Sequence, residues 1–213
     1  MEKDGIKFVR PFGPSIVVAK IPDNTLEMLN KYIDGIAADK KKSSYLDHGN
    51  ELVGDVTQEF ILEPEIIDKS GFGKFLTRCV TQWVELELKT KITKFKIMTT
   101  WVVRQFENEY NPTHWHNGHI SGAGFLKVPS SFGKHYQKKN KNYHGGQLQL
   151  INGTRHFMSP STVSLTPKVG DFYFFPNYLM HTVYPFKDTK EERRSISFNA
   201  QIDDSIYDVY SRS

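Results

Sequence analysis

Cysteine is nearly absent from this chain of 213 residues, which has only Cys79. One thiol makes no internal disulfide framework and no cysteine-cluster zinc site, and it suits a reducing cytoplasm. Long apolar runs are missing too. Nothing approaches the roughly 18 consecutive apolar residues of a membrane-spanning helix, and the opening MEKDGIKF has no apolar signal-peptide core. Neither sign of charge dominates: 28 Lys and Arg against 24 Asp and Glu leave a net charge of +4, a mild excess that is no nucleic-acid-binding signature. No internal repeat and no linker marks a second domain. The expectation is one soluble, cytoplasmic domain, in line with the usual scale of about 100–200 residues per domain.

What is present supports a packed core: 38% of residues are hydrophobic and 13% aromatic, enough to fold without covalent staples. KFVRPF and SIVVAKI, separated by Pro11, Gly13 and Pro14, read as two short strands around a turn. After Pro22, Leu26, Leu29, Tyr32, Ile33 and Ile36 recur at helical spacing, and Asp23 and Asn24 offer N-cap chemistry. Residues 39–55 are polar, charged and glycine-punctuated, so a surface loop is expected there. A second helix is expected over Phe72–Leu88, with Phe75, Leu76, Cys79, Val80, Trp83, Val84 and Leu86 inward.

Beyond residue 94 the period changes to short β-favouring runs bounded by Gly, Pro, Asn or Asp, from KFKIMTTWVVRQ to RRSISFNAQI. Many short strands at close spacing indicate a sandwich or barrel-like jelly roll, mainly β with flanking helices. The expected organisation is a strand and helix support region at 1–93, a β core at 94–203 and a tail at 204–213. Residues 130–146 interrupt the β pattern with Lys134, Lys138, Lys139 and Lys141 beside tyrosines and histidines. They read as a solvated loop or as a basic rim beside a pocket.

Three of the eight histidines crowd into Thr113-His114-Trp115-His116-Asn117-Gly118-His119. On an extended strand His114 and His116 project to one side and Trp115 to the other. Two converging imidazoles suit a borderline divalent metal such as Fe(II), Zn(II) or Ni(II). His135, His144 and His156 read as surface residues. Downstream, GDFYFFP leads to His181, and then to Arg193-Arg194-Ser195-Ile196-Ser197-Phe198-Asn199. In that strand Arg193, Ser195, Ser197 and Asn199 share one face, and Arg194, Ile196 and Phe198 the other. A guanidinium with a hydroxyl two residues on grips a carboxylate. The residues suggest a metal chelated by one end of a dicarboxylate whose other end is held by Arg-x-Ser.

His-x-His followed by Ile-Ser-Gly, then Gly-Gly-Gln-Leu-Gln-Leu, Gly-Asp-Phe-Tyr-Phe-Phe-Pro…His and Arg-x-Ser-Ile-Ser-Phe-Asn, resembles the 2-oxoglutarate- and Fe(II)-dependent oxygenase superfamily. Within it, the pattern is similar to a small branch found in marine bacteria and their phages, and it spans roughly residues 95–200. The resemblance implies a double-stranded β-helix of jelly-roll, cupin-like form. It implies His114 as the first ligand, His181 as the distal ligand, and Arg193 with Ser195 as the 2-oxoglutarate clamp. The cofactors it implies are Fe(II), 2-oxoglutarate and O₂. The reaction implied is hydroxylation with release of succinate and CO₂, in the host cytoplasm if the chain is phage-encoded.

The chain departs from the superfamily at the acidic position, which holds His116. Three readings stay open: His116 is the third ligand; His116 is the first ligand with Gly118 in the acidic position, as in halide-binding halogenases; or His119 contributes. Three neutral imidazoles would leave a divalent cation with both its charges and favour anions at its open positions. Phe125 stands where relatives often carry a tyrosine. Trp101, Phe125 and Tyr173 are candidates for the pocket wall, with ordinary core packing the plainer reading for aromatic residues.

Two other function classes remain at this stage. One is a cupin-type three-histidine metal protein: an isomerase, a cosubstrate-free dioxygenase or a ligand-binding module. The other is a non-catalytic binding module with structural histidines. The expected substrate is a small molecule or a protein side chain, and the sequence carries no signal for oligomeric state.

Overall fold

The structure is a computed structural model that describes residues 2–3, 5–9, 13–49, 53–136 and 142–208. The lysines at 138, 139 and 141 lie outside the described residues.

Among the described residues, twelve strands form two antiparallel sheets. The larger contains β1 (Glu2–Lys3), β2 (Ile6–Val9), β3 (Ile16–Lys20), β4 (Gln58–Ile61), β5 (Phe95–Gln105), β7 (Ile120–Lys127), β10 (Asp171–Pro176) and β12 (Arg193–Ile202). Its order is β1-β2-β3-β10-β7-β12-β5-β4. The smaller contains β6 (Asn111–His114), β8 (Leu148–Ile151), β9 (Thr162–Leu165) and β11 (Met180–Val183), in the order β6-β11-β8-β9.

The helices are α1 (Asp23–Ala38), α2 (Lys40–Leu46), α3 (Pro64–Lys69), α4 (Phe72–Leu88) and α5 (Asp204–Tyr207). α1 and α4 follow the hydrophobic periodicity, with Leu29, Ile33 and Ile36 buried on one and Phe75, Leu76, Cys79, Val80, Trp83 and Val84 on the other. Leu86 is only half-buried, whereas Phe72, one turn ahead of the expected stripe, is buried.

Side-chain alternation splits the large sheet into two faces. On β10, Phe172 and Phe174 point to the helices and join the core with Phe72 and Phe75, while Tyr173 and Phe175 point to the smaller sheet and pack with Phe125, Leu148 and Leu150. Each such buried aromatic contributes about 1.5–3 kcal/mol relative to exposure. Phe172 sits flat against β7, and only glycine leaves it room there: a Cβ on Gly124 would lie 2.3 Å from its ring and one on Gly122 2.6 Å.

One expectation needs correction. Residues 39–55 are not all loop, because α2 forms where the Asp39 carboxylate accepts the N–H groups of Lys41 and Lys42 at 2.9 and 3.1 Å and Leu46 becomes buried. The strands of the 1–93 support region are part of the same large sheet as the β core. The N-terminal strands extend the large sheet at both edges, β3 against β10 and β4 against β5, because both edges offer unpaired backbone groups. Residues 204–207, within the expected tail, form a helical turn that buries Ile206.

Candidate metal centre

β6 and β11 pair antiparallel with His114 directly opposite His181, so their imidazoles emerge side by side from the smaller sheet. β6 ends at His114, and His116 therefore does not join by strand alternation as the spacing suggests. Asn177 brings it in instead: its carbonyl accepts the His116 N–H at 3.0 Å, and its side-chain amide donates to the His116 carbonyl at 3.1 Å. The three ring centroids then stand 4.2–4.9 Å apart, and one nitrogen from each ring lies within 4.8 Å of the others. Trp115 points away and is 62% exposed.

Backbone carbonyls orient the rings. His114 Nδ1 donates to the Pro112 carbonyl at 2.7 Å and His181 Nδ1 to that of Leu179 at 2.9 Å, which leaves each Nε2 with its lone pair facing the cluster. Nε2 of His116 and Nε2 of His181 are 3.1 Å apart. Two nitrogens bound at about 2.1 Å and at right angles to one metal stand about 3.0 Å apart, so this spacing fits neighbouring ligands of one ion. Burial pushes the His181 pKa down to about 3 and that of His116 to about 2, and lowers that of His114. All three rings are therefore neutral, as metal ligands must be.

His119 lies elsewhere. Its ring stacks on Tyr207 with centroids 3.9 Å apart, and its Nδ1 accepts the Ile202 N–H at 3.1 Å. Among the described residues, the cluster that could hold a metal is His114, His116 and His181, with no carboxylate in it.

The same cavity, about 40 Å³ between the sheets, is lined by these histidines, Trp101, Arg193 and Ser195. β12 places Arg193 and Ser195 on its inner face, opposite Gln105 and Val103 of β5. Arg193 is 1% exposed. Its Nη1 donates to Gln105 Oε1 at 3.0 Å and lies 3.5 Å from Ser195 Oγ, and its guanidinium rests 4.8 Å above the Phe125 ring. Its Nε has no hydrogen-bond partner, and no carboxylate pairs with it among the described residues. Burial alone pushes its pKa down to about 9. A buried cation without a counter-charge is costly, and an anionic ligand entering this cavity would remove that cost.

Of the expected wall residues, Trp101 faces the cavity and meets the His116 ring edge-on at 5.3 Å. Phe125 underlies Arg193. Tyr173 sits one ring further off, against Phe125 at 6.2 Å, and does not face the cavity.

Sequence reasoning missed Gln105, Val103 and Asn111. The first two were accessible by counting alternate residues from Trp101 along β5. It also missed Glu59, which faces inward from β4 opposite Val103 and is 1% exposed. Burial pushes its pKa up to about 7, with the amide of Asn111, a cavity residue, beside it.

A β-helix of two antiparallel sheets brings together three histidines that could hold a metal ion and a buried arginine without a carboxylate partner among the described residues. Comparisons with known proteins give this arrangement its company. Residues 99–199 match the model of a family described as "Putative 2OG-Fe(II) oxygenase". A comparison with curated proteins finds no match.

Among solved structures, the chain is similar to a prolyl-4-hydroxylase from Pseudomonas putida, at 15% identity and a TM-score of 0.54, covering 93% of this chain and 91% of that one. It is similar to HygX from Streptomyces hygroscopicus with nickel and 2-oxoglutarate bound, at 10% identity and TM-score 0.54, covering 87% and 82%. A third is a prolyl hydroxylase from Trichoplax adhaerens in complex with a hypoxia inducible factor peptide fragment, at 14% identity and TM-score 0.53, covering 98% and 88%. The shared fold is the double-stranded β-helix.

Proposed function

We propose that this chain is a 2-oxoglutarate- and Fe(II)-dependent oxygenase that hydroxylates a small molecule or a protein side chain. His114, His116 and His181 would hold the iron, and Arg193 with Ser195 would take the distal carboxylate of 2-oxoglutarate. The observation that carries this reading is Arg193, a buried guanidinium without a counter-charge in the same cavity as three converging neutral imidazoles. The donor set fits the group: imidazole nitrogens suit Fe(II), and the charge they leave uncancelled draws the cosubstrate's chelating end.

Iron with 2-oxoglutarate and O₂ supplies the oxidant for C–H hydroxylation, with succinate and CO₂ as coproducts. The chain's own residues do the positioning. The carbonyls of Pro112 and Leu179 fix the tautomers of His114 and His181. Asn177 sets the His116 backbone. Trp101 and Phe125 exclude water beside the ligands and beneath the guanidinium. The cavity has room for a few waters at most, so a five-carbon dicarboxylate enters only as lining side chains draw aside. Cys79, buried and with its pKa pushed up to about 11, takes no part and suits a reducing cytoplasm.

Anaerobic addition of Fe(II) and 2-oxoglutarate should produce a visible charge-transfer absorption, and admission of O₂ should release succinate. Absence of both, with no measurable 2-oxoglutarate binding, would overturn the reading. Among the described residues no carboxylate joins the three histidines, which favours one alternative, a three-histidine cupin-type metal protein that needs no cosubstrate. Under it, an Arg193→Ala variant would keep full activity.

A further inference from the structure

We propose that Gln105 is a positioning residue of the carboxylate slot: its neutral amide holds Arg193 in place while leaving the guanidinium charge for a ligand, and so selects cosubstrates with a second carboxylate. This rests on the reading of the cavity as a 2-oxo acid site.

Gln105 is the last residue of β5, is fully buried, and sits directly opposite Arg193 in the β5–β12 ladder. Its Oε1 accepts from Arg193 Nη1 at 3.0 Å. Its amide nitrogen donates to the backbone carbonyl of Glu109 and, at 3.4 Å, to that of Tyr184. Those two carbonyls determine which way the amide faces. The reversed amide would set N–H against N–H at Arg193 and carbonyl against carbonyl at the other end. A side chain held by three groups in a buried site is a rigid support, and it fixes one edge of the guanidinium.

The choice of an amide over a carboxylate has a consequence visible by contrast nearby. Arg194 and Arg104, on the outer side of the same strands, are both paired with the Glu192 carboxylate. A carboxylate of Gln105's size would pair Arg193 in the same way and leave the slot electrically satisfied. It would also have no donor for the Glu109 and Tyr184 carbonyls. With glutamine, the charge of Arg193 stays uncancelled and its Nε without a partner, so a distal carboxylate is the missing element.

The test compares two ligands that share the chelating 2-oxo acid end and differ in the distal carboxylate: 2-oxoglutarate and 2-oxobutyrate. Binding to the Fe(II)-loaded protein is measured anaerobically by calorimetry, beside metal content. The native protein should prefer 2-oxoglutarate. In Gln105→Glu its affinity should fall at least about tenfold, with 2-oxobutyrate affinity and iron content unchanged, so that the preference disappears. A general loss of structure would weaken both ligands. A preference retained in Gln105→Glu overturns the proposal.

A native protein that binds neither ligand, or that shows no preference, instead overturns the 2-oxoglutarate reading itself. Should Gln105→Glu not fold, Gln105→Met removes the supporting acceptor without adding charge. It should cut the preference about threefold, and an unchanged preference there overturns the proposal as well.

Discussion

Arg193 and Arg194 are neighbours on β12, and both are buried, at 1% and 0% exposure, yet among the described residues only Arg194 has a counter-charge. Arg194 points outward to Glu192 at 2.6 Å, Asp34 at 2.7 Å and the Asn30 side chain at 3.0 Å. Arg193 points inward to neutral partners. Two residues that differ only in the parity of a strand thus have different surroundings, one fastening α1 and the strand end together and one meeting neutral groups in the cavity.

That contrast separates their variants. Arg194→Met should destabilise the fold by about 1–3 kcal/mol, because it removes charge-assisted hydrogen bonds to Glu192, Asp34 and Asn30 while Glu192 keeps Arg104 and Asp34 keeps Lys127. Arg193→Met should leave thermal stability unchanged or raised, since it removes an unpaired buried charge, and should abolish 2-oxoglutarate binding with iron content retained. Thermal melts and calorimetry read both. Equal destabilisation by the two substitutions would show that Arg193 is structurally paired.

Alanine at His114, His116 or His181 should each lower bound iron to a small fraction of one equivalent after reconstitution and desalting, read by elemental analysis. Alanine at His119 should leave iron content unchanged, because that ring is committed to Tyr207 and the Ile202 N–H. Loss of iron in His119→Ala with normal folding would move the third ligand.

Asn177→Ala should reduce metal affinity about 10–100-fold, the usual effect of removing a group that orients a ligand. It deletes the amide that grips the His116 carbonyl and the acceptor of the Tyr207 hydroxyl at 3.2 Å. Competition with a chelator measures it, and an unchanged affinity would mean that the His116 backbone is held by other contacts.

Glu59 makes stability fall with rising pH. Its carboxyl keeps its proton to about pH 7 in the fold, against an ordinary value of 4.5. Between those values the folded chain binds more protons than the unfolded one, so this group's contribution is favourable below the window and lost through it. Glu59→Gln should be more stable than the native protein above pH 7, by roughly 3 kcal/mol, with the gain shrinking toward pH 4.5. Denaturant melts at several pH values check it, and a gain independent of pH would assign the effect to something other than this proton.

Gly124→Ala should cost about 1–3 kcal/mol through overpacking, because the added methyl would meet the Phe172 ring at 2.3 Å. A variant as stable as the native protein would mean that the ring shifts at little cost.

The sequence alone determined what local stereochemistry determines. The 3.6-residue period marks α1 and α4, and the two-residue period of β12 puts Arg193 with Ser195 and Arg194 with Ile196 before any fold is known. The order of short strands indicates a jelly roll, because each run is bounded by its own turn residues. α2 and the sheet-joining role of the N-terminal strands were not legible, since both depend on partners that lie elsewhere in the chain.

Only the tertiary structure decided which groups meet. His114 faces His181 through the register of two short strands, His116 arrives through Asn177, and Gln105 reaches Arg193 across 88 positions of chain. A strand's alternating pattern says which face is buried, but which residue of a distant strand stands opposite is decided when the whole core packs. The same holds for charge: both arginines look alike in the sequence, and only the fold brought carboxylates to Arg194 and, among the described residues, none to Arg193.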